Sequence, residues 1–90
     1  MISELYQTIL ARKQSKPEDS YTASLFARGE DEILKKVGEE SVEVILAAKA
    51  QGNGRLIEEV ADLTYHVLVL LASRGLSPDD IAAELEKRRR

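Results

Sequence analysis

The sequence predicts an all-α fold, a helical bundle of four to five helices. Three observations carry that reading. Apolar residues recur at helical spacing in four separate stretches. No stretch alternates apolar and polar residues with the period of a strand. The two prolines, Pro17 and Pro78, both fall at junctions between the helical stretches. With 90 residues the chain has the length of one domain, spanning 1–90.

The elements follow in order. Over residues 2–14, Ile2, Leu5, Tyr6, Ile9 and Leu10 share one helix face. The segment QSKPEDSYTAS then breaks the pattern with Pro17 and several hydroxyl residues. A second helix runs from about Glu30 to Gln51, and Glu30, Asp31 and Glu32 place negative charge at its positive dipole end. QGNG (51–54) is a turn signal. A third helix runs from about Arg55 to Arg74, with Gly75 suited to the position just past its end. Ser77, Pro78 and Asp80 read as cap, first turn and capping-box partner of a fourth helix that reaches about Lys87.

Composition narrows the function classes. Thirteen basic residues against 16 acidic ones leave a net charge of −3, which argues against nucleic acid as partner. The basic tail KRRR (87–90) reads as charge favourable to a helix C-terminus. There is no Cys, so a thiol nucleophile and thiolate metal sites are excluded. With one His, a metal site must be built mostly from oxygen ligands. The longest apolar run, Val67 to Ala72, is far short of the roughly 20 residues a membrane helix needs. MISELYQTIL lacks the basic start of a signal peptide, and a cytoplasmic location is expected.

Charge placement on the second and third helices is unusual. At about 100° per residue, Glu39, Glu40, Glu43 and Lys36 fall in one sector, while Leu34, Val37, Val42, Val44 and Ile45 cover most of the remaining circumference. The third helix repeats the pattern, with Glu58, Glu59, Asp62 and His66 in one strip and Arg55 below it. Helices apolar nearly all round should be largely buried, and their acidic strips enclosed. The short QGNG connection makes the two helices a hairpin, so both strips can face one space. Carboxylates crowded out of water protonate or find a cation, and Lys36 and Arg55 are too few. The pairs Glu40/Glu43 and Glu59/Asp62 are each spaced i, i+3, which suits Mg²⁺. The wheel alone leaves two readings open, a metal site and a solvated acidic face with Lys partners.

GEESVE followed by EVADLTYH resembles the Glu-Glu-x-x-Glu … Glu-x-x-Asp signature of MazG-type all-α nucleotide pyrophosphohydrolases. Within that group the chain is most similar to the phosphoribosyl-ATP pyrophosphatases of histidine biosynthesis. SYTASLFARGEDEILKKVGEE (20–40), EVILAAKA (43–50) and DLTYHVLVLLASRG (62–75) carry the likeness, which extends over about residues 2–87. The resemblance implies a MazG-like bundle whose substrate is phosphoribosyl-ATP, cleaved with Mg²⁺ to phosphoribosyl-AMP and pyrophosphate. It implies Glu40, Glu43, Glu59 and Asp62 as metal ligands, and Glu39 as the residue that orients the attacking water or holds a second metal. Ser41 stands where Ala is common in such motifs. The cyclohydrolase often fused to this family has no counterpart here, so the chain is expected to act alone.

Weaker candidates surround the acids. Lys36 reads as a phosphate ligand or as an ion-pair partner of Glu39 or Glu40. His66 reads as a contact to substrate phosphate or as a satisfied polar residue of the bundle. Ser20, Tyr21 and Thr22 read as substrate contacts, or as a helix cap with Tyr21 in the core. Arg28, next to Gly29, is a weak candidate for a phosphate-facing turn. Alternatives to the main reading are a MazG-type enzyme for another nucleoside triphosphate, and a non-catalytic helical dimerisation module. A homodimer, or a larger assembly of dimers, is expected because two short helices cannot cover the hairpin's apolar sides. In such a dimer, residues 20–28 of one subunit are expected over the acidic strip of the other.

Overall fold

The computed structural model describes residues 1–89; Arg90, the end of the basic tail, lies outside the described residues. Five α-helices follow one another among them: α1 (Ile2–Arg12), α2 (Tyr21–Arg28), α3 (Glu30–Leu46), α4 (Gly52–Ser73) and α5 (Pro78–Arg88). No strand occurs among the described residues. A 3-10 turn at Pro17–Asp19 precedes α2, and five residues of π-helical winding, Ala47–Gln51, extend α3.

The element that sequence reading missed is α2. Ser20 starts it: its hydroxyl accepts a hydrogen bond from the Ala23 backbone N–H at 3.0 Å. The helix is held by burial of Thr22, Ala23 and Leu25 on one face. The boundary expected at 74–80 is present. Gly75 N–H donates to Ala72 C=O and Leu76 N–H to Leu71 C=O, the paired bonds of a Schellman end. Asp80 accepts from the Ser77 backbone N–H at 2.9 Å, which opens α5. The hairpin turn also falls in QGNG, but it is made at Gly52, whose φ of 88° is costly for any residue with a Cβ. Asn53 and Gly54 already lie in the first turn of α4.

α3 and α4 form the hairpin, and α1 and α2 cover one end of it. The core sits there: Tyr6 and Ile9 of α1, Leu25 of α2, Ile33 of α3, and Leu68, Val69 and Ala72 of α4. The Tyr6 hydroxyl donates to the Leu76 carbonyl, and Lys13 Nζ to the Ala72 carbonyl at 2.9 Å. Arg74 grips Glu30 with two nitrogens, at 2.6 and 3.0 Å, tying the end of α4 to the start of α3.

The far half of the hairpin has no such cover. Ile45 is 61% exposed and Ile57 71%, and Val42, Leu46 and Val60 are also exposed. The radius of gyration is 14.2 Å, against roughly 12 Å for a compact domain of this length. Burial of the hairpin all round is therefore not met within one chain. The apolar circumference is real, but α1 and α2 are too short to enclose it.

Candidate functional site

The hairpin register brings three carboxylates together. Oxygen atoms of Glu40 on α3 and of Glu59 and Asp62 on α4 all lie within 4.8 Å of one another. Glu59 and Asp62 share a face because they are three residues apart on a helix. Glu40 meets them because Gly52 reverses the chain. Glu59 is buried, Glu40 half-buried and Asp62 exposed. Within the single chain the strip is thus open on one side.

Glu43, one helical turn beyond Glu40, stands outside this trio and is half-buried. Glu39 also stands outside it, paired with Lys36 at 3.5 Å. Arg55 pairs with both Glu58 and Glu59. Among the described residues, one cationic side chain is thus ion-paired with the trio, Arg55 through Glu59. Burial, and then the charges of Asp62 and Glu59, hold the Glu40 carboxyl above its usual range, with His66 and Lys36 opposing. A cation among three such oxygens would relieve that repulsion. The donors are all carboxylate oxygens, the set a hard divalent ion takes.

His66 is 5% exposed and uses both ring nitrogens. Nδ1 lies 2.8 Å from the Asp62 carbonyl oxygen, which can only accept, so Nδ1 carries the proton. Nε2 is hydrogen-bonded to the Tyr21 hydroxyl at 3.0 Å. Both ring nitrogens of His66 thus have partners, and the residue ties α2 to the acidic strip.

The segment 20–28 lies beside the acids of its own chain. Tyr21 stacks on Tyr65 with centroids 6.3 Å apart and planes 27° apart. His66 meets both rings edge-on, at 5.9 and 4.9 Å. The Tyr65 hydroxyl is hydrogen-bonded to Thr22. Burial holds the Tyr21 phenol above its usual range, with Lys36 opposing. The Lys36 ammonium is held high in turn, foremost by the Tyr21 oxygen and then by Glu39 and Glu40, against burial. Ser20 caps α2 and Thr22 is buried, so of the three hydroxyl residues Tyr21 alone is exposed beside the site. Arg28 is exposed at the end of α2, and no hydrogen bond or ion pair among the described residues joins it to the acids.

Tyr65 was not singled out by sequence reasoning. Its signal is positional: it precedes His66 in EVADLTYH, and its hydroxyl needs a partner when half-buried.

Among the described residues, no helix is long and apolar enough to cross a membrane. A family model described as phosphoribosyl-ATP pyrophosphohydrolase matches residues 2–89. The phosphoribosyl-ATP pyrophosphatase of Pelotomaculum thermopropionicum is 57% identical over 89 residues, 99% of this chain and 91% of that protein. That of Trichlorobacter lovleyi is 53% identical over 88 residues, covering 98% and 82%. That of Saccharolobus islandicus is 50% identical over 90 residues, covering 100% and 96%.

Proposed function

The chain belongs to the phosphoribosyl-ATP pyrophosphohydrolase family, and we propose that the Glu40–Glu59–Asp62 cluster is where it carries out that family's reaction. It is a hydrolase of histidine biosynthesis that splits phosphoribosyl-ATP into phosphoribosyl-AMP and pyrophosphate. The observation that carries the site assignment is the convergence of three carboxylates within 4.8 Å on the hairpin.

Glu40, Glu59 and Asp62 would hold Mg²⁺, with Glu43 as a fourth carboxylate on the same face of α3. Bound there, Mg²⁺ supplies charge neutralisation for the phosphate oxygens and acidifies water. The chain's own residues do the rest. Glu39 orients a water toward the α-phosphorus. A new phosphorus–oxygen bond forms there as the water gives up a proton to solvent, and the bond from that phosphorus to the bridging oxygen breaks. The bridging oxygen leaves with pyrophosphate. Lys36, beside Glu39, offers its ammonium to the leaving phosphates. Arg55 holds Glu59 in place. Preorganised charge and positioning account for the rate.

The working unit is a homodimer acting on a soluble nucleotide in the cytoplasm. Support comes from the uncovered outer half of the hairpin, where Val42, Ile45, Ile57 and Val60 are exposed. A groove of about 430 Å³ between α1, α4 and α5, bordered by Leu63, Val67, Leu71, Ile81 and Leu85, adds apolar surface. Two hairpins packed together would bury the first of these faces.

The test is incubation with phosphoribosyl-ATP and Mg²⁺ in ¹⁸O-water, with product analysis by ³¹P NMR. Pyrophosphate and phosphoribosyl-AMP should form in equal amounts, with the label on phosphoribosyl-AMP. Label on pyrophosphate would move the attack to the β-phosphorus. Faster cleavage of ATP or another triphosphate would replace the substrate assignment.

A further inference from the structure

The acids and Lys36 can account for the polyphosphate of the substrate, but they offer nothing to its purine. The flat π-face of a base is received by an aromatic face. The chain has four aromatic residues, three Tyr and one Phe. Tyr6 is in the core, and Phe26 packs against it. Tyr65 is half-buried with its hydroxyl bound to Thr22. Tyr21 is 49% exposed, and it stands beside the acids: its hydroxyl is 3.0 Å from His66, whose own Nδ1 binds the Asp62 carbonyl.

Its placement is also fixed. The hydroxyl is tied to a buried imidazole, one side of the ring leans on Tyr65, and His66 closes an edge. A ring held on three sides loses little freedom when a ligand settles on what remains open. From this geometry we propose that Tyr21 is a specificity-determining residue, the surface on which the purine of the nucleotide substrate stacks. The proposal rests on the nucleotide pyrophosphohydrolase reading above, and gives Tyr21 a role through its ring, with the hydroxyl serving only to hold that ring.

The test is steady-state kinetics with phosphoribosyl-ATP at saturating Mg²⁺ for the wild type, Tyr21→Phe and Tyr21→Leu. Loss of a stacking ring corresponds to a KM increase of roughly 10- to 100-fold, so Tyr21→Leu should show that rise, with kcat affected far less. Tyr21→Phe keeps the ring and should stay within about threefold of the wild-type KM. Equal damage in both variants would assign the effect to the hydroxyl and overturn the proposal. An unchanged KM in Tyr21→Leu would overturn it too. A wild-type arm independent of folding is ¹H NMR with phosphoribosyl-AMP. The purine H2 and H8 signals should move upfield on binding, by ring current, and should show cross-peaks to the Tyr21 ring; bound nucleotide with neither would contradict stacking. Absence of phosphoribosyl-ATP turnover in the wild type would instead remove the underlying reading of the site.

Discussion

The Tyr21 hydroxyl is hydrogen-bonded to His66 Nε2 across 3.0 Å, joining α2 to the strip of α4 that carries Glu59 and Asp62. This contact places the segment after the 3-10 turn beside the acids of its own chain.

Tyr21→Phe leaves His66 Nε2 buried with no hydrogen-bond partner. An unsatisfied buried polar atom costs about 1–3 kcal/mol, so urea unfolding should show a loss in that range. An unchanged midpoint would mean that the hydrogen bond contributes nothing to stability.

Glu40 should make the metal-free protein sensitive to pH in an unusual direction. Its folded carboxyl is held above the ordinary value of 4.5, by burial and by Asp62 and Glu59. A raised carboxyl favours the folded state below the unfolded pKa, and that contribution is lost as pH rises through the folded pKa. In EDTA at neutral pH, Glu40→Gln should therefore melt higher than the wild type, and the gap should close as pH falls toward 4.5. Glu30 runs the other way. Hydrogen bonding to Arg74 holds its carboxyl low, so its contribution is present above the unfolded pKa and lost as pH falls through the folded one. A Glu40→Gln gap that is negative at neutral pH would refute the repulsion account.

Core and site should separate on mutation. Leu68 is buried against Tyr6, Ile9 and Val69, so Leu68→Ala should cost about 2–5 kcal/mol. Asp62 is exposed and faces two other acids, so Asp62→Asn should leave the melting temperature of the metal-free protein nearly unchanged. Should Asp62→Asn unfold as readily as Leu68→Ala, the acid is structural.

The outer half of the hairpin predicts association. Sedimentation at micromolar concentration should give twice the chain mass or more. Ile57→Asp, at a residue 71% exposed in the single chain, should shift the protein toward monomer without unfolding its core. A fully active wild-type monomer of 10.0 kDa would contradict the dimer.

The helices and their ends are legible in the sequence where local chemistry decides them. Ser77 with Asp80, and Gly75 after Arg74, act within a few residues and need no partner helix. Helix α2 is less legible because Ser20, Tyr21, Thr22 and Ser24 are polar and read as loop. What makes them a helix is burial of Thr22, Ala23 and Leu25 against neighbours far along the chain. The acidic strips are legible from i, i+3 spacing alone. Which acids converge is not, because it depends on the register of two helices across the Gly52 turn. Glu40 and Glu59 differ by 19 positions, and no local pattern says that they meet while Glu43 stands apart. Whether the apolar sides of the hairpin are buried is not legible either, because one chain leaves Ile45 and Ile57 exposed and their cover must come from outside it.

One assay reaches metal-dependent turnover by these acids. Pyrophosphate release from phosphoribosyl-ATP is followed for the wild type, Glu40→Gln and Asp62→Asn, after chelation and again after adding back Mg²⁺ or Ca²⁺. The wild type should show no turnover in EDTA, recovery with Mg²⁺ and poor recovery with Ca²⁺, whose coordination is larger and looser. Each variant should lose about 100-fold or more, the scale expected when preorganised charge at a reacting phosphate is removed. Full wild-type activity after rigorous chelation, or near-normal turnover by both variants, would contradict it.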